Sequence, residues 1–373
     1  MLRGWVAIAR GALCAAVALA NGAQAAPNAD PERLRAIVQA EASKVGAKGV
    51  EFGMWLGDRE VLTTALGESM TTVPATTDMH YRIGGIGETF MSTLLLILVE
   101  QKRIGLDDKI SRWFPHLLDA DKVTVRMLVS NTAGYPDYVT NEDFVKLELA
   151  EPFRSFTDDE LIDYSVRGGR MNFPPGEGQQ YSHTDNVILG QVIQRATGQS
   201  IGALYQKYIF GPLDMKDTGF PADQEIQRPV FHAYSKDRGV YEDSTYWNPL
   251  WGSTPAQITS NLHDLGRWGP IFGTGRLVSP ADFKTQIAPT SVGKGRNRPD
   301  IYFAYGFVVA NGWLAQNPNI NGYSGAFGYN LATGVTIVVE ASKGETANDS
   351  DAPAFEIFRA AAKYVTPAAP IDF

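Results

Sequence analysis

The sequence predicts an α/β fold of the α+β type, in which one mainly antiparallel sheet is flanked by helices and accompanied by an all-helical lobe. The first observation is a hairpin signal, because residues 49–56 and 60–66 alternate in the manner of strands around Gly57 and Asp58. The second is that strand-like runs return only late in the chain, at 301–310, 328–331 and 335–341. Both chain ends therefore contribute to one sheet, built from about 46–80 and 298–345.

The third observation is that most of the remaining sequence has helical patterns. Residues 31–45 have helical periodicity, the apolar run at 89–101 predicts a buried helix, and 352–364 predicts a closing helix. Between about 100 and 300, further helical segments are joined by Pro- and Gly-rich loops. We find no internal repeat and no low-complexity linker, so residues 27–373 are expected to form one domain.

The N-terminus has the pattern of a cleavable secretory signal peptide. Arg3 and Arg10 precede an apolar stretch at 11–20, and the small residues Ala23, Ala25 and Ala26 follow it. Cleavage after Ala25 or after Ala26 fits equally well, and residues 1–26 are assigned to the leader. We therefore expect a periplasmic or secreted protein, with no membrane span once the leader is removed.

Composition excludes several classes of function. The single cysteine, Cys14, lies in the predicted leader, so neither disulfides nor thiol catalysis are expected in the mature chain. Loss of the leader removes two arginines and no acidic residue, which moves the net charge from −8 to about −10. Nucleic acid is therefore not an expected partner. The oligomeric state stays open.

Residues 81–90 read YRIGGIGETF, which resembles the first motif, Arg-Ile-Gly-Ser-x-x-Lys-x-Phe, of class C β-lactamases and their penicillin-binding protein and esterase relatives. Further matches follow in the family's order at 123–136, 173–183 and 210–220. The resemblance spans most of the mature chain and implies the β-lactamase/transpeptidase-like fold, with a cleft between sheet and helical lobe.

The departures from the family pattern carry the functional expectation. In the family, a serine attacks a carbonyl while a lysine one helical turn later and the tyrosine of the second motif manage its proton. Here the first two positions are Gly85 and Glu88. A shifted register that recruited Thr89 or Ser92 instead would break every neighbouring match. The resemblance thus implies that acyl-enzyme chemistry is lost.

The second and third motifs are altered as well. Tyr181 keeps the tyrosine of the second motif, and His183 stands where the family has asparagine. We assign the third motif, usually Lys-Thr-Gly or His-Thr-Gly, to 322–325, which places Tyr323 at the cationic position. With Gly85, we expect Tyr323, Ser324 and Gly325 to contact a ligand.

Three functions follow as alternatives. The first is a protein that binds a small amide- or carbonyl-containing, or peptide-like, ligand in the inherited cleft, with Glu88 as a structural carboxylate that caps its helix or pairs with Arg82. The second is a repurposed enzyme in which Glu88, Tyr181 and His183 perform general acid–base catalysis as a hydrolase, lyase or isomerase. The third is a non-catalytic module that binds another protein.

No cofactor or metal is expected. The remaining histidines are scattered, and no His-x-x-x-His or His-x-His pair occurs. The sequence does not identify the ligand.

Overall fold

The computed structural model describes residues 27–249, 253–347 and 352–371; the predicted leader at 1–26 lies outside them. Its strands, in chain order, are Ala47–Leu56 (β1), Arg59–Met70 (β2), Val73–Pro74 (β3), His80–Arg82 (β4), Tyr234–Ser235 (β5), Glu242–Asp243 (β6), Thr259–Asn261 (β7), Ile301–Phe303 (β8), Val308–Ala310 (β9), Trp313–Gln316 (β10), Asn319–Ile320 (β11), Tyr323–Asn330 (β12) and Val335–Lys343 (β13). Its α-helices are Pro31–Lys44 (α1), Gly87–Glu100 (α2), Val125–Val129 (α3), Glu142–Ala150 (α4), Asp158–Val166 (α5), His183–Thr197 (α6), Ile201–Tyr205 (α7), Ser253–Ala256 (α8), Leu262–Gly273 (α9), Pro280–Gln286 (α10) and Pro353–Val365 (α11).

Strands from both chain ends form one antiparallel sheet of nine strands. Its order is β3-β2-β1-β13-β12-β10-β9-β8, and β11 pairs with β12. The N-terminal hairpin joins the C-terminal strands through β1 and β13, where Phe52 lies opposite Val339. The predicted fold class is confirmed.

The two faces of the sheet are covered differently. Helices α1 and α11 pack on one face, where Leu34 and Phe358 contribute to a buried apolar cluster. The other face packs against α9 and the helical lobe, and Phe90 and Trp268 stack there with ring centroids 4.0 Å apart. Helix α2 runs through this second core and is buried from Gly87 to Leu98.

The helices at 31–45, 89–101 and 352–364 are observed as α1, α2 and α11, with ends shifted by one or two residues. Helix α1 begins where the sequence indicates, because the Asp30 side chain accepts hydrogen bonds from the backbone N–H groups of Glu32 and Arg33. None of the described helices is both long enough and apolar enough to cross a membrane.

The prediction of one continuous strand at 301–310 is wrong. The chain reverses within it, so that β8 and β9 form a hairpin in which Ile301 lies opposite Ala310. Gly306 in this turn has a φ of +77°, a conformation that favours glycine. A Cβ atom there would come within 2.9 Å of the Cβ atom of Glu88, so the turn packs directly on helix α2.

A pair of buried carboxyl groups lies in the centre of the sheet. Glu51 on β1 and Glu340 on β13 are opposite each other, and both are buried. Their four carboxyl oxygens have no hydrogen-bond partner among the described residues, and neither has the hydroxyl of buried Tyr81. Burial raises the pKa of both carboxyls well above its usual value, with smaller contributions from Asp78 at Glu51 and from Glu51 at Glu340.

We predict that this pair makes the protein less stable as the pH rises from about 5 to about 8. An unfolded glutamate titrates near about 4.3, so above that pH the folded state binds more protons than the unfolded state, and stability falls with pH. The variant Glu340→Gln should reduce this fall substantially, as measured by urea unfolding at both pH values. Exposed Glu345→Gln is the matched control, and an unchanged pH dependence in Glu340→Gln would contradict the prediction.

Candidate functional site

A cavity of about 420 Å³ lies between the start of α2, the start of α6 and the end of β10. Its described lining residues are Gly84, Gly85, Glu88, Tyr181, His183, Pro255, Ala256, Phe303, Val308, Gln316, Asn317, Pro318, Asn319 and Ile320. Of the residues predicted from the sequence, the cavity therefore brings together Gly85, Glu88, Tyr181 and His183.

The turn that leads into α2 places Gly85 and Glu88 side by side. Residues Gly84–Ile86 form one 3-10 turn, and Glu88 is the second residue of the helix that follows. A Cβ atom at Gly85 would lie 3.6 Å from Oε1 of Glu88, so both residues face the same part of the cavity. Gly85 itself presents only backbone.

Glu88 is held by the phenol of Tyr181, which donates a hydrogen bond of 2.6 Å to its Oε1. Only 3% of Glu88 is exposed, and burial raises its pKa to about 7. The hydrogen bond from Tyr181 and the charge of His183 oppose this rise. Burial and the Glu88 carboxylate raise the pKa of Tyr181 well above its usual value, so the phenol remains the donor at neutral pH.

His183 extends this polar wall away from α2. Its Nδ1 lies 2.9 Å from Oδ2 of Asp137, and its ring packs edge-on against Tyr181 with centroids 5.0 Å apart. Asp137 is itself largely buried. The cavity wall thus holds a carboxyl that titrates near neutral pH beside a phenol and a carboxylate-bound imidazole, groups able to hold and move protons.

The segment that carries Tyr181 and His183 is fixed by the loop after α3. The side-chain Oδ1 of Asn131 accepts from the N–H of Ser182 at 3.1 Å, and its carbonyl accepts from the N–H of Gln180 at 3.1 Å. Asn131 has a φ of +51°, a conformation that asparagine adopts more readily than most residues. Asn131 therefore fixes the backbone on both sides of Tyr181, at Gln180 and at Ser182.

We expected Tyr323, Ser324 and Gly325 to contact a ligand, but none of the three is among the described lining residues of the cavity. Tyr323 donates its hydroxyl to the carbonyl of Phe231 at 2.6 Å and is buried. Ser324 points to the opposite face of the sheet, where its Oγ accepts from the N–H of Ala354 at 3.2 Å. The N–H of Gly325 donates to the carbonyl of Pro318, which places Pro318 between β12 and the cavity.

Residues 316–320 form the wall that we expected at 322–325, and the sequence patterns did not lead us to them. Strands β10 and β11 fold back on β12 through a two-residue turn at Asn321 and Gly322. Both turn residues have positive φ, at 46° and 86°, as a type I′ hairpin requires. The Asn-Gly pair was therefore the available signal that the preceding residues pair with β12 and that Gln316 reaches the site.

The alternative nucleophiles point away from the cavity. Thr89 donates its hydroxyl to the carbonyl of Ile86 and accepts from Nε1 of Trp268 at 2.8 Å. Ser92 accepts from Nε2 of Gln286 at 3.0 Å within the buried core.

The suggested pairing of Glu88 with Arg82 is not observed. The Arg82 guanidinium donates instead to the carbonyl of Gln224. Over the residues that the structure describes, no group of three or more His, Cys, Asp or Glu side chains could hold a metal ion.

The chain matches the family model described as Beta-lactamase over residues 34–362. It is 24% identical to penicillin-binding protein 4* of Bacillus subtilis (strain 168) over 263 residues, which cover 65% of this chain and 54% of that protein. Protein flp of Staphylococcus aureus (strain MW2) is 25% identical over 256 residues, which cover 66% of this chain and 47% of that protein. The chain thus matches about half the length of these relatives.

Solved structures with the same fold cover nearly the whole chain. A D-stereospecific amidohydrolase from Streptomyces sp. has a TM-score of 0.78 at 24% identity, with 89% of this chain and 98% of that chain covered. The D-amino acid amidase from Ochrobactrum anthropi SV3, complexed with D-phenylalanine, has a TM-score of 0.74 at 24% identity, with 88% and 99% covered. At this identity the likeness concerns the fold.

We predict that Tyr181→Phe raises the pKa of Glu88 further above 7. The lost phenol stabilises the ionised carboxylate, and a hydrogen bond to a charged group is worth about 1.5–3 kcal/mol, so a rise of about one unit or more is expected. Carbon-13 NMR of labelled glutamate carboxyls measures the pKa of Glu88. The control is Tyr208→Phe, which removes a hydroxyl that donates to Gln101 instead of Glu88. An unchanged or lowered pKa would contradict the prediction.

Proposed function

Because the chain belongs to the beta-lactamase family, we propose that it binds a small amide- or carbonyl-containing ligand in this cavity without forming an acyl-enzyme. One observation carries the proposal: the described lining residues include no serine, threonine, cysteine or lysine, and their only hydroxyl is the phenol of Tyr181. Gly85 and Glu88 stand where the family motif has its nucleophile and lysine. Acyl transfer needs an activated nucleophile, which this wall does not supply.

The rest of the lining supports an amide-like ligand. Gln316, Asn317 and Asn319 line one wall, and the amide oxygen of Gln316 faces Gly85, where it can accept from an N–H of the ligand. Phe303 and Val308 supply apolar surface for the body of the ligand. The names of two structural neighbours, an amidase and an amidohydrolase, are in keeping with this chemistry. A peptide-like ligand fits the same description.

We also propose that the protein acts outside the cytoplasm, in the periplasm or as a secreted protein. The support is the leader pattern at 1–26, with its two arginines, apolar stretch and small residues.

The first proposal predicts that a fluorophosphonate or penicillin-type probe leaves the purified protein unlabelled, because the described lining residues of the cavity include no serine. Intact-mass spectrometry measures labelling, and an active serine β-lactamase run in parallel is the positive control. The double variant Gly85→Ser, Glu88→Lys, which restores the residue types of the family motif, should still fold. Stoichiometric labelling of any serine in the unaltered protein would refute the proposal.

A second candidate function, acid–base catalysis without a covalent intermediate, is favoured by the pKa of Glu88 near 7. A carboxyl with that pKa changes protonation state at physiological pH, and Tyr181 and His183 adjoin it. Such a group could activate water or move a proton at a substrate carbon.

Turnover distinguishes the two functions. If Glu88 acts as a general base, release of p-nitrophenol from a short-chain ester or opening of a chromogenic β-lactam should rise with pH through about 7. Glu88→Gln should then lower the rate about a hundredfold or more. The binding function predicts saturable ligand binding with no turnover of these substrates in either protein. Turnover that Glu88→Gln leaves unchanged would contradict the second candidate.

A further inference from the structure

Two hydrogen-bond acceptors converge on the space above Gly85. A Cβ atom at this residue would lie 3.1 Å from Oε1 of Gln316 and 3.6 Å from Oε1 of Glu88. Gly85 is the residue at the serine position of the first motif, so this space is where a nucleophile side chain would stand. The acceptors approach it from strand β10 and from helix α2.

The orientation of Gln316 is set by its other amide atom. Its Nε2 donates to the carbonyl of Gly306 at 2.6 Å, and a carbonyl can only accept, so the oxygen of the amide must face Gly85. The carbonyl is held in place because the turn at Gly306 packs on Glu88. Gln316 is therefore fixed as an acceptor toward the cavity.

Glu88 is an acceptor toward the same space. Its Oε1 already receives the hydroxyl of Tyr181 and keeps further lone-pair capacity, because a carboxylate oxygen can accept more than one hydrogen bond. The phenol has one proton and gives it to Glu88, so it does not supply a donor to the space above Gly85. Gln316 and Glu88 therefore both present acceptors there, and a ligand group that donates hydrogen bonds would satisfy them.

The charged groups around the cavity also favour a cationic ligand group over an anionic one. Glu88 lies in its wall, and Asp137 lies directly behind His183. The lining residues in the described part of the chain include no lysine and no arginine. The charge of a protonated His183 is compensated by Asp137, which accepts from its Nδ1 at 2.9 Å, so ionised Glu88 is the group in this wall without an ionic partner, and it would attract a cationic ligand group.

We propose that the space above Gly85 binds a hydrogen-bond-donating nitrogen of the ligand, a protonated primary amine, between Glu88 and Gln316. This inference rests on the proposed binding function and narrows the ligand class to amine-bearing molecules whose apolar body lies against Phe303 and Val308. Charge-assisted hydrogen bonds to the carboxylate supply the selectivity over neutral and anionic groups.

The proposal has a pH signature. Because the pKa of Glu88 is raised to about 7, the ionised fraction that attracts the amine grows as the pH rises from about 6 to about 8. A primary alkylamine stays protonated over this range, since such groups titrate near about 10. Amine binding therefore strengthens with pH in this window, and binding of a neutral amide does not.

Three probes with the same phenylethyl body test the inference in the mature protein: 2-phenylethylamine, 3-phenylpropanamide and 3-phenylpropionate. Dissociation constants from NMR titration should rank amine tightest and carboxylate weakest, with a difference of about tenfold or more between them. An amide that binds as tightly as the amine, or a carboxylate that binds most tightly, overturns this inference and leaves the binding function standing. No saturable binding of any probe overturns both.

Two variants distinguish the effect of the Glu88 charge from the effect of the free space above Gly85. Glu88→Gln should weaken amine binding about tenfold, abolish its pH dependence and leave amide binding unchanged, with Glu345→Gln as control. Gly85→Ala should weaken amine binding by filling the space; Gly168→Ala, where a Cβ atom has nothing within 4 Å, is its control. Equal loss of amine and amide binding in Glu88→Gln would show that Glu88 acts only on the shape of the cavity, and the inference would fail.

Discussion

The burial of helix α2 is the constraint on which the site depends. The helix passes between the sheet and the helical lobe with no exposed side chain in its first three turns, so whatever residue stands on its first turn is carried into the interior. Glu88 stands there, and a carboxyl in such a position must be hydrogen-bonded or protonated. The hydrogen bond from Tyr181 and the raised pKa of Glu88 are both consequences of this placement.

The same constraint shapes the neighbouring elements. The hairpin of β8 and β9 approaches α2 closely at Gly306, where a Cβ atom would lie 2.9 Å from the Cβ and 3.1 Å from the carbonyl oxygen of Glu88, so a residue without a side chain allows this contact. The carbonyl of Gly306 then orients Gln316, which fixes the opposite wall of the cavity. A residue on α2 and a residue on β10 are thus coupled through one turn that contacts both.

The sequence was sufficient where a local pattern and the fold agree. The β1–β2 hairpin, α1 and α2 were predicted from periodicity, and the positions of Glu88 and Tyr181 in the cavity followed from the resemblance. The sequence analysis missed the cavity wall at 316–320 because β10 is short. Its pairing with β12 follows from the Asn321–Gly322 turn, and this Asn-Gly pair was not interpreted as a hairpin. The raised pKa of Glu88 was beyond sequence reasoning, since the helix N-terminus and burial act in opposite directions and only coordinates decide which is larger.

The polarity of the cavity bears on the proposed function independently of which residue stands at position 85. Acyl transfer requires donors aimed at the oxygen on which negative charge develops. Glu88 and Gln316, whose side chains lie nearest to Gly85, present acceptors instead. Glu88 also adds negative charge at neutral pH. An oxyanion beside them would be destabilised, whereas an ammonium group would be stabilised. The lack of a side chain at Gly85 and the acceptors around it are therefore consistent with each other, and both agree with the proposed recognition of an amine.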